Sequence, residues 1–239
     1  MKIMNNHTTL KKKNVARYLL RMFLNLLAQG IIFFSAAGTL EIPRGWFFFT
    51  ITFFYYLVST IIIFKITPVL VNKRGGSAFK DNTPTWDKVL LLTYSILGLY
   101  VQMFIAGWDV GRLHWWPLGM ESFMVGLILY FISVILIIWS MIKNPFFEPS
   151  ARIQTDREQK VIKTGPYKFV RHPGYLSGIL WHVAVPMILG SSLALLFSLI
   201  VMIILIIRTH LEDGLLQDEL EGYYAYSQQV KYRLLPGLW

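Results

Sequence analysis

Tyr175-Leu-Ser-Gly-Ile-Leu-Trp-His-Val-Ala-Val-Pro-Met-Ile-Leu-Gly190-Ser191-Ser192-Leu-Ala-Leu-Leu-Phe-Ser-Leu-Ile-Val-Met-Ile-Ile-Leu-Ile-Ile207 is free of Asp, Glu, Lys and Arg. A helix covers the hydrocarbon core of a bilayer with roughly 20 apolar residues, so this run is too long for one crossing. Gly190-Ser191-Ser192 divides it, and small turn-forming residues between two apolar runs predict a tight helical hairpin. Working outward, residues 18–39, 46–64, 89–106 and 121–142 are four further apolar stretches of crossing length. The chain of 239 residues is 55% hydrophobic, with mean hydropathy +0.50, too apolar for an ordinary soluble domain. The expected fold is all-α: a polytopic membrane bundle of about six transmembrane helices.

The basic residues orient that bundle. Lys2, Lys11, Lys12, Lys13, Arg17 and Arg21 lie at the N-terminus, and Lys65, Lys73, Arg74, Lys80 and Lys88 in the second loop. Lys143, Arg152, Arg157, Lys160, Lys163, Lys168 and Arg171 crowd the fourth loop, and the tail adds Arg208, Lys231 and Arg233. The alternate loops hold Arg44 and Arg112 alone. By the positive-inside rule both termini are expected in the cytoplasm. The net charge of +10 then records topology and attraction to anionic membrane lipids, not nucleic-acid binding. The chain has no Cys, which excludes disulfides, thiolate metal sites and a Cys nucleophile. Ser35-Ala36-Ala37-Gly38 faintly resembles a cleavage site, but the apolar run before it exceeds a signal-peptide core, so a retained helix is expected.

Chemistry-bearing residues gather where the fourth loop enters the hairpin, in Lys163-Thr-Gly-Pro-Tyr-Lys-Phe-Val-Arg-His-Pro-Gly-Tyr175. A residue before Pro is pushed out of the α region and Pro suits the first helical turn, so His172 sits just outside the helix, beside unpaired N–H groups. Such a helix start can bind an anion; equally, Arg171-His172 can anchor the helix at lipid headgroups. Arg208 and Glu212 stand four apart at the other end of the hairpin. They form either an exposed ion pair or charges turned into the bundle, where ionisable groups mark a site. Asn144-Pro145 reads as a helix terminator, Gly222 as a break in the helix that continues the last span, and Pro236 as the end of the ordered tail. No Gly-x-Gly-x-x-Gly, P-loop or Gly-x-Ser-x-Gly pattern is present. His7, His114, His172, His182 and His210 show no metal-ligand spacing, so no metal is expected.

Together, Thr164-Gly-x-Tyr167, Arg171-His-Pro-x-Tyr175, Arg208-x-x-x-Glu212, Tyr223-x-x-Tyr226 and Pro236 resemble the isoprenylcysteine carboxyl methyltransferase family, which is itself similar to the membrane phospholipid N-methyltransferases. The resemblance covers residues 144–239. It implies a catalytic region there (polar loop, hairpin and amphipathic tail), with residues 1–143 supplying four spans. It also implies S-adenosylmethionine as cofactor, bound without a Rossmann domain in a cytosol-facing C-terminal pocket. Gln154, Gln159, Lys160, Val161, Ile162, Tyr167, His172, Pro173, Gly174, Tyr175 and Glu212 would surround the cofactor, and Arg208 would approach the acceptor. The methyl acceptor would be lipidic or prenylated, most simply an isoprenylcysteine-like carboxylate. The alternatives are a phospholipid amine, a membrane lipid or sterol reductase, and a non-catalytic membrane protein. The chain departs from the family pattern at Asp213, one methylene short of the usual second acid, and at Gln159, where eukaryotic members tend to have His. Its compactness suggests a bacterial or archaeal cell membrane.

Overall fold

A computed structural model describes residues 12–77, 79–80 and 82–239; Lys2, Lys11 and His7, named above, lie outside them. The described chain is helical, its elements being α1 (Lys12–Ala37), α2 (Pro43–Ile66), α3 (Pro68–Arg74), α4 (Thr85–Leu113), α5 (Met120–Lys143), α6 (Pro173–Leu189), α7 (Ser192–Glu219) and α8 (Tyr223–Gln229). Prolines punctuate them as sequence chemistry requires. Pro43 and Pro173 occupy helix starts, where the missing N–H costs nothing, and Pro68 stops α2 and opens α3. The hairpin turn falls at the expected place. Gly190 ends α6 in the left-handed region at φ 92°, and Ser191 Oγ caps α7 by accepting from Ala194 N at 3.0 Å.

Among the described residues, five helices are long and apolar enough to cross a membrane: α1, α2, α4, α5 and α7. The sixth, α6, has 17 residues, about 25 Å of helix against a core of about 30 Å. The six expected helices are thus present as five of crossing length and one shorter apolar helix. α4 runs well past the apolar stretch 89–106 at both ends, because Asp87 and Asp109, which look like span-ending charges, are buried and hydrogen-bonded. Two π-helical stretches, Ser95–Val101 and Asp109–Leu113, widen it.

Inside the bundle, Phe33, Phe48, Met103, Tyr130, Val185 and Ile188 form the main core. Leu20, Ile31, Phe54, Ile128 and Ile135 are exposed on the outside, as lipid-facing residues are. Small residues let helices meet closely, the usual device where lipid removes the hydrophobic drive. A Cβ on Gly126 would stand 2.9 Å from Met187 Cβ, and Ser133 and Ser177 exchange hydrogen bonds between α5 and α6, each hydroxyl donating to the other residue's carbonyl at 2.9 Å.

The tail corrects the sequence reading. Gly222 does break the helix, at φ 78°, but order does not end at Pro236. Arg171 N and His172 N donate to the carbonyls of Tyr232 and Arg233, both at 2.9 Å, and Trp239 O accepts from Arg233 N at 3.0 Å. Buried amides need partners, and those before α6 find theirs in the returning tail.

Candidate active site

A cavity of about 290 Å³ opens between the loop 144–172, the first turns of α6, the end of α7, and α8. Gln154, Gln159, Lys160, Val161, Ile162, Tyr167, His172, Pro173, Gly174, Tyr175, Arg208 and Glu212 all line it. Arg74, Leu91, Tyr94 and Ile137, from the first 143 residues, line it too.

The loop holds its polar residues by internal hydrogen bonds. Gln154 Nε2 donates to Phe146 O at 2.6 Å, Gln154 N donates to Gln159 Oε1 at 2.7 Å, and Arg157 Nη1 donates to Gln154 Oε1 at 2.7 Å. Tyr167 stands on the 3₁₀ turn Gly165–Lys168. Its hydroxyl accepts from Asn144 Nδ2 at 3.1 Å and its carbonyl from Tyr226 Oη at 2.7 Å; burial pushes its phenol above the ordinary range. Val161 packs on the cluster of Leu216, Leu220, Tyr223 and Tyr226, joining loop to tail. The ring of Phe147 lies over Gly174, where a Cβ would come within 2.6 Å of it.

His172 and Arg171 turn inward, away from any headgroup role. Arg171 grips fully buried Asp213 through Nε and Nη2, each at 2.8 Å, and His172 Nε2 lies 3.0 Å from Asp213 Oδ1. Arg233 Nε and Gln217 Nε2 donate to Asp213 Oδ2 at 2.8 Å, and Tyr223 Oη donates to Oδ1 at 2.9 Å.

The Arg208–Glu212 spacing does not produce an ion pair. Arg208 Nε donates to Asp87 Oδ1 at 2.7 Å and Nη2 to Pro149 O at 2.5 Å, while the guanidinium lies 5.4 Å from the centre of the Tyr175 ring. Nη1 is left with no hydrogen-bond partner among the described residues. Glu212 instead accepts from the Tyr175 hydroxyl. Asp87, wholly buried, uses its second oxygen to accept from Ala151 N at 2.8 Å, so it fixes both Arg208 and the loop.

Three residues escaped the sequence reading as site residues. Asp87 had a signal, an acid at the edge of an apolar helix, where burial is costly without a partner. Asp213 showed itself only as a departure from a pattern. Glu148 gave no signal; its Oε2 pairs with Arg152 at 3.2 Å, and its buried Oε1 has no hydrogen bond but faces Arg157 Nη1 at 3.7 Å.

Chemically, the loop end of the cavity offers carboxylate oxygens of Glu148 and Glu212 and aromatic walls from Phe146, Phe147 and Tyr167. Beside them stands the free Nη1 of Arg208, and beyond it an apolar end. That layout can hold a ligand carrying positive charge and a planar ring at one end, and an anion attached to an apolar chain at the other.

No curated protein matches the chain. Residues 124–218, from α5 through the loop and α6 to the end of α7, match the model of the isoprenylcysteine carboxyl methyltransferase family. Most of the cavity's lining falls within that stretch, and the chain carries a domain of this family of membrane methyltransferases.

Proposed function

We propose that the loop end of the cavity binds S-adenosylmethionine and that the protein methylates the carboxylate of a lipidic, isoprenylcysteine-like acceptor. The supporting observation is the convergence of the loop residues, the α6 start, Glu212 and Arg208 on one cavity that also has an apolar end. The residues fit the cofactor: the Glu212 carboxylate and Glu148 Oε1, which has no hydrogen bond of its own and an Arg157 guanidinium 3.7 Å away, suit its cationic groups, and Tyr167 and Phe147 suit its ring. When bound, the cofactor supplies a methyl group activated on a sulfonium.

The protein's part is positioning. Arg208 is fixed by Asp87 and Pro149 O, so its Nη1 can meet a carboxylate by a charge-assisted hydrogen bond without first being ordered. Aligning two bound reactants can contribute about 7–11 kcal/mol. A carboxylate acceptor, already ionised at neutral pH, needs no base, and this favours it over a phospholipid amine. The Lys and Arg content of the loop supports a cavity facing the cytoplasm.

Arg208→Lys tests the assignment, since it keeps a cation against Asp87 and removes Nη1. Transfer of labelled methyl to N-acetyl-S-farnesylcysteine is expected to fall by about tenfold to a hundredfold, the worth of one hydrogen bond to a charged group. S-adenosylhomocysteine affinity should stay within about twofold, less than the loss of even one neutral hydrogen bond. Lost cofactor affinity with normal turnover would contradict the role.

A further inference from the structure

Beyond Arg208 the cavity is bounded by Leu91 and Tyr94 of α4, Ile137 of α5, Gly178 of α6 and Leu205 of α7. Gly178 lies one turn beyond Tyr175, and Leu205 one turn before Arg208, so this end continues directly from the proposed carboxylate position. A Cβ on Gly178 would stand 3.3 Å from Leu205 Cδ1 and 4.0 Å from Tyr94 Oη. Any side chain at this lining position would therefore press on Leu205 and reach Tyr94.

Tyr94 is held there by a buried polar network. Gln102 Nε2 donates to His182 O at 2.9 Å and to Ser198 Oγ at 2.8 Å, which leaves Gln102 Oε1 to face His182 Nδ1 at 2.7 Å. An amide oxygen only accepts, so Nδ1 carries the proton and Nε2 is bare. Nε2 then accepts from the Tyr94 hydroxyl at 3.0 Å. The two rings meet edge to face, with centroids 5.3 Å apart. His182 is 1% exposed and comes this close because Gly98 gives way; a Cβ there would lie 2.8 Å from His182 Cε1. Tyr94 and Gln102 flank the π-helical turn containing Gly98, a distortion that recurs at functional sites. Nothing in the polar chemistry at Arg208 uses this network. Its consequence is a Tyr94 hydroxyl tethered to His182 beside Gly178.

We infer that Gly178, opposite the Tyr94 ring pinned by His182, sets the bore of the cavity's apolar end and so selects the hydrocarbon chain of the acceptor. The inference rests on the proposed reading of the cavity as the site of methyl transfer to a lipidic carboxylate. Tyr94 and Gly178 are specificity determinants, and His182 is a positioning residue acting through Tyr94.

The test uses detergent-purified full-length protein, with labelled-methyl transfer to N-acetyl-S-farnesylcysteine and to its single-isoprene analogue. S-adenosylhomocysteine affinity is measured in parallel. Gly178→Leu should lower farnesyl transfer by about tenfold or more, the range over which a few methylene groups are discriminated. The single-isoprene rate and the cofactor affinity should change little. Tyr94→Phe, which keeps the ring and frees it from His182, should move the ratio of the two rates the other way. If Gly178→Leu loses cofactor binding through misfolding, Gly178→Ala carries the test, with a smaller effect of the same sign. Equal loss on both probes, or no loss on either, overturns the inference. A wild-type protein that binds S-adenosylhomocysteine but methylates neither probe overturns the acceptor reading, and the inference falls with it.

Discussion

Asp213 accepts from two guanidinium groups, a carboxamide and a phenol while facing an imidazole, all without exposure to solvent. Its neighbour Glu212 faces the cavity. The two acids look interchangeable in sequence, yet a helix turns about 100° between consecutive residues, so one looks into the site and the other into its foundation. Asp213→Asn leaves Arg171 and Arg233 without a counter-charge, and removing one partner of a buried ion pair costs about 3–5 kcal/mol. Thermal unfolding of the ligand-free protein should register that loss. A variant as stable as the wild type would contradict the foundation role. Sequence spacing singled out Arg208 and Glu212 but left open whether they pair with each other or turn into the bundle, and they turn inward without pairing. The true partner of Arg208, Asp87, is 121 positions away, and no local periodicity carries that information. Glu148 was illegible for a similar reason: an acid in a polar loop looks solvated until the fold buries it.

At the scale of elements, hydropathy and punctuation made the helices legible, together with the hairpin turn at Gly190-Ser191-Ser192. The loop 144–172 has no periodicity to read, and tertiary bonds shape it. Arg74 Nη1 donates to Phe147 O at 3.1 Å, Asn82 Nδ2 to Ile153 O at 2.7 Å, and Asp87 receives Ala151 N. Within the loop, the hydrogen bond from Arg152 holds the Asp156 carboxyl below its usual range. The tail was misread because Pro236 signals a stop locally, whereas the backbone pairing of residues 171–172 with 232–233 is a long-range event. Ending the chain at Val230 removes both of those bonds and the Arg233–Asp213 contact. Faster deuterium exchange at Arg171 and His172 should follow, and S-adenosylhomocysteine affinity should weaken by about tenfold, since each lost hydrogen bond is worth about 0.5–1.5 kcal/mol. Unchanged exchange and affinity would show that the tail does not support the cavity.

Across the whole molecule the two ends of the bundle differ in purpose. At one end the connections are short and tied to one another: Arg44 Nη1 donates to Leu118 O at 2.7 Å, and Ser191 Oγ donates to Asp109 at 2.6 Å. At the other, the long basic loop and the returning tail cover a cavity whose polar end lies among loop residues and whose apolar end lies among helices. A methyltransferase joining a water-soluble donor to a lipidic acceptor needs that arrangement, and the central claim is that the donor binds at the loop end. Calorimetric titration of the detergent-purified full-length protein with S-adenosylmethionine and S-adenosylhomocysteine tests it most directly. The account predicts saturable binding of both at one site per chain, weakened about tenfold by Glu212→Gln through loss of a charge-assisted contact. Absence of binding by either compound to the folded wild-type protein would contradict it.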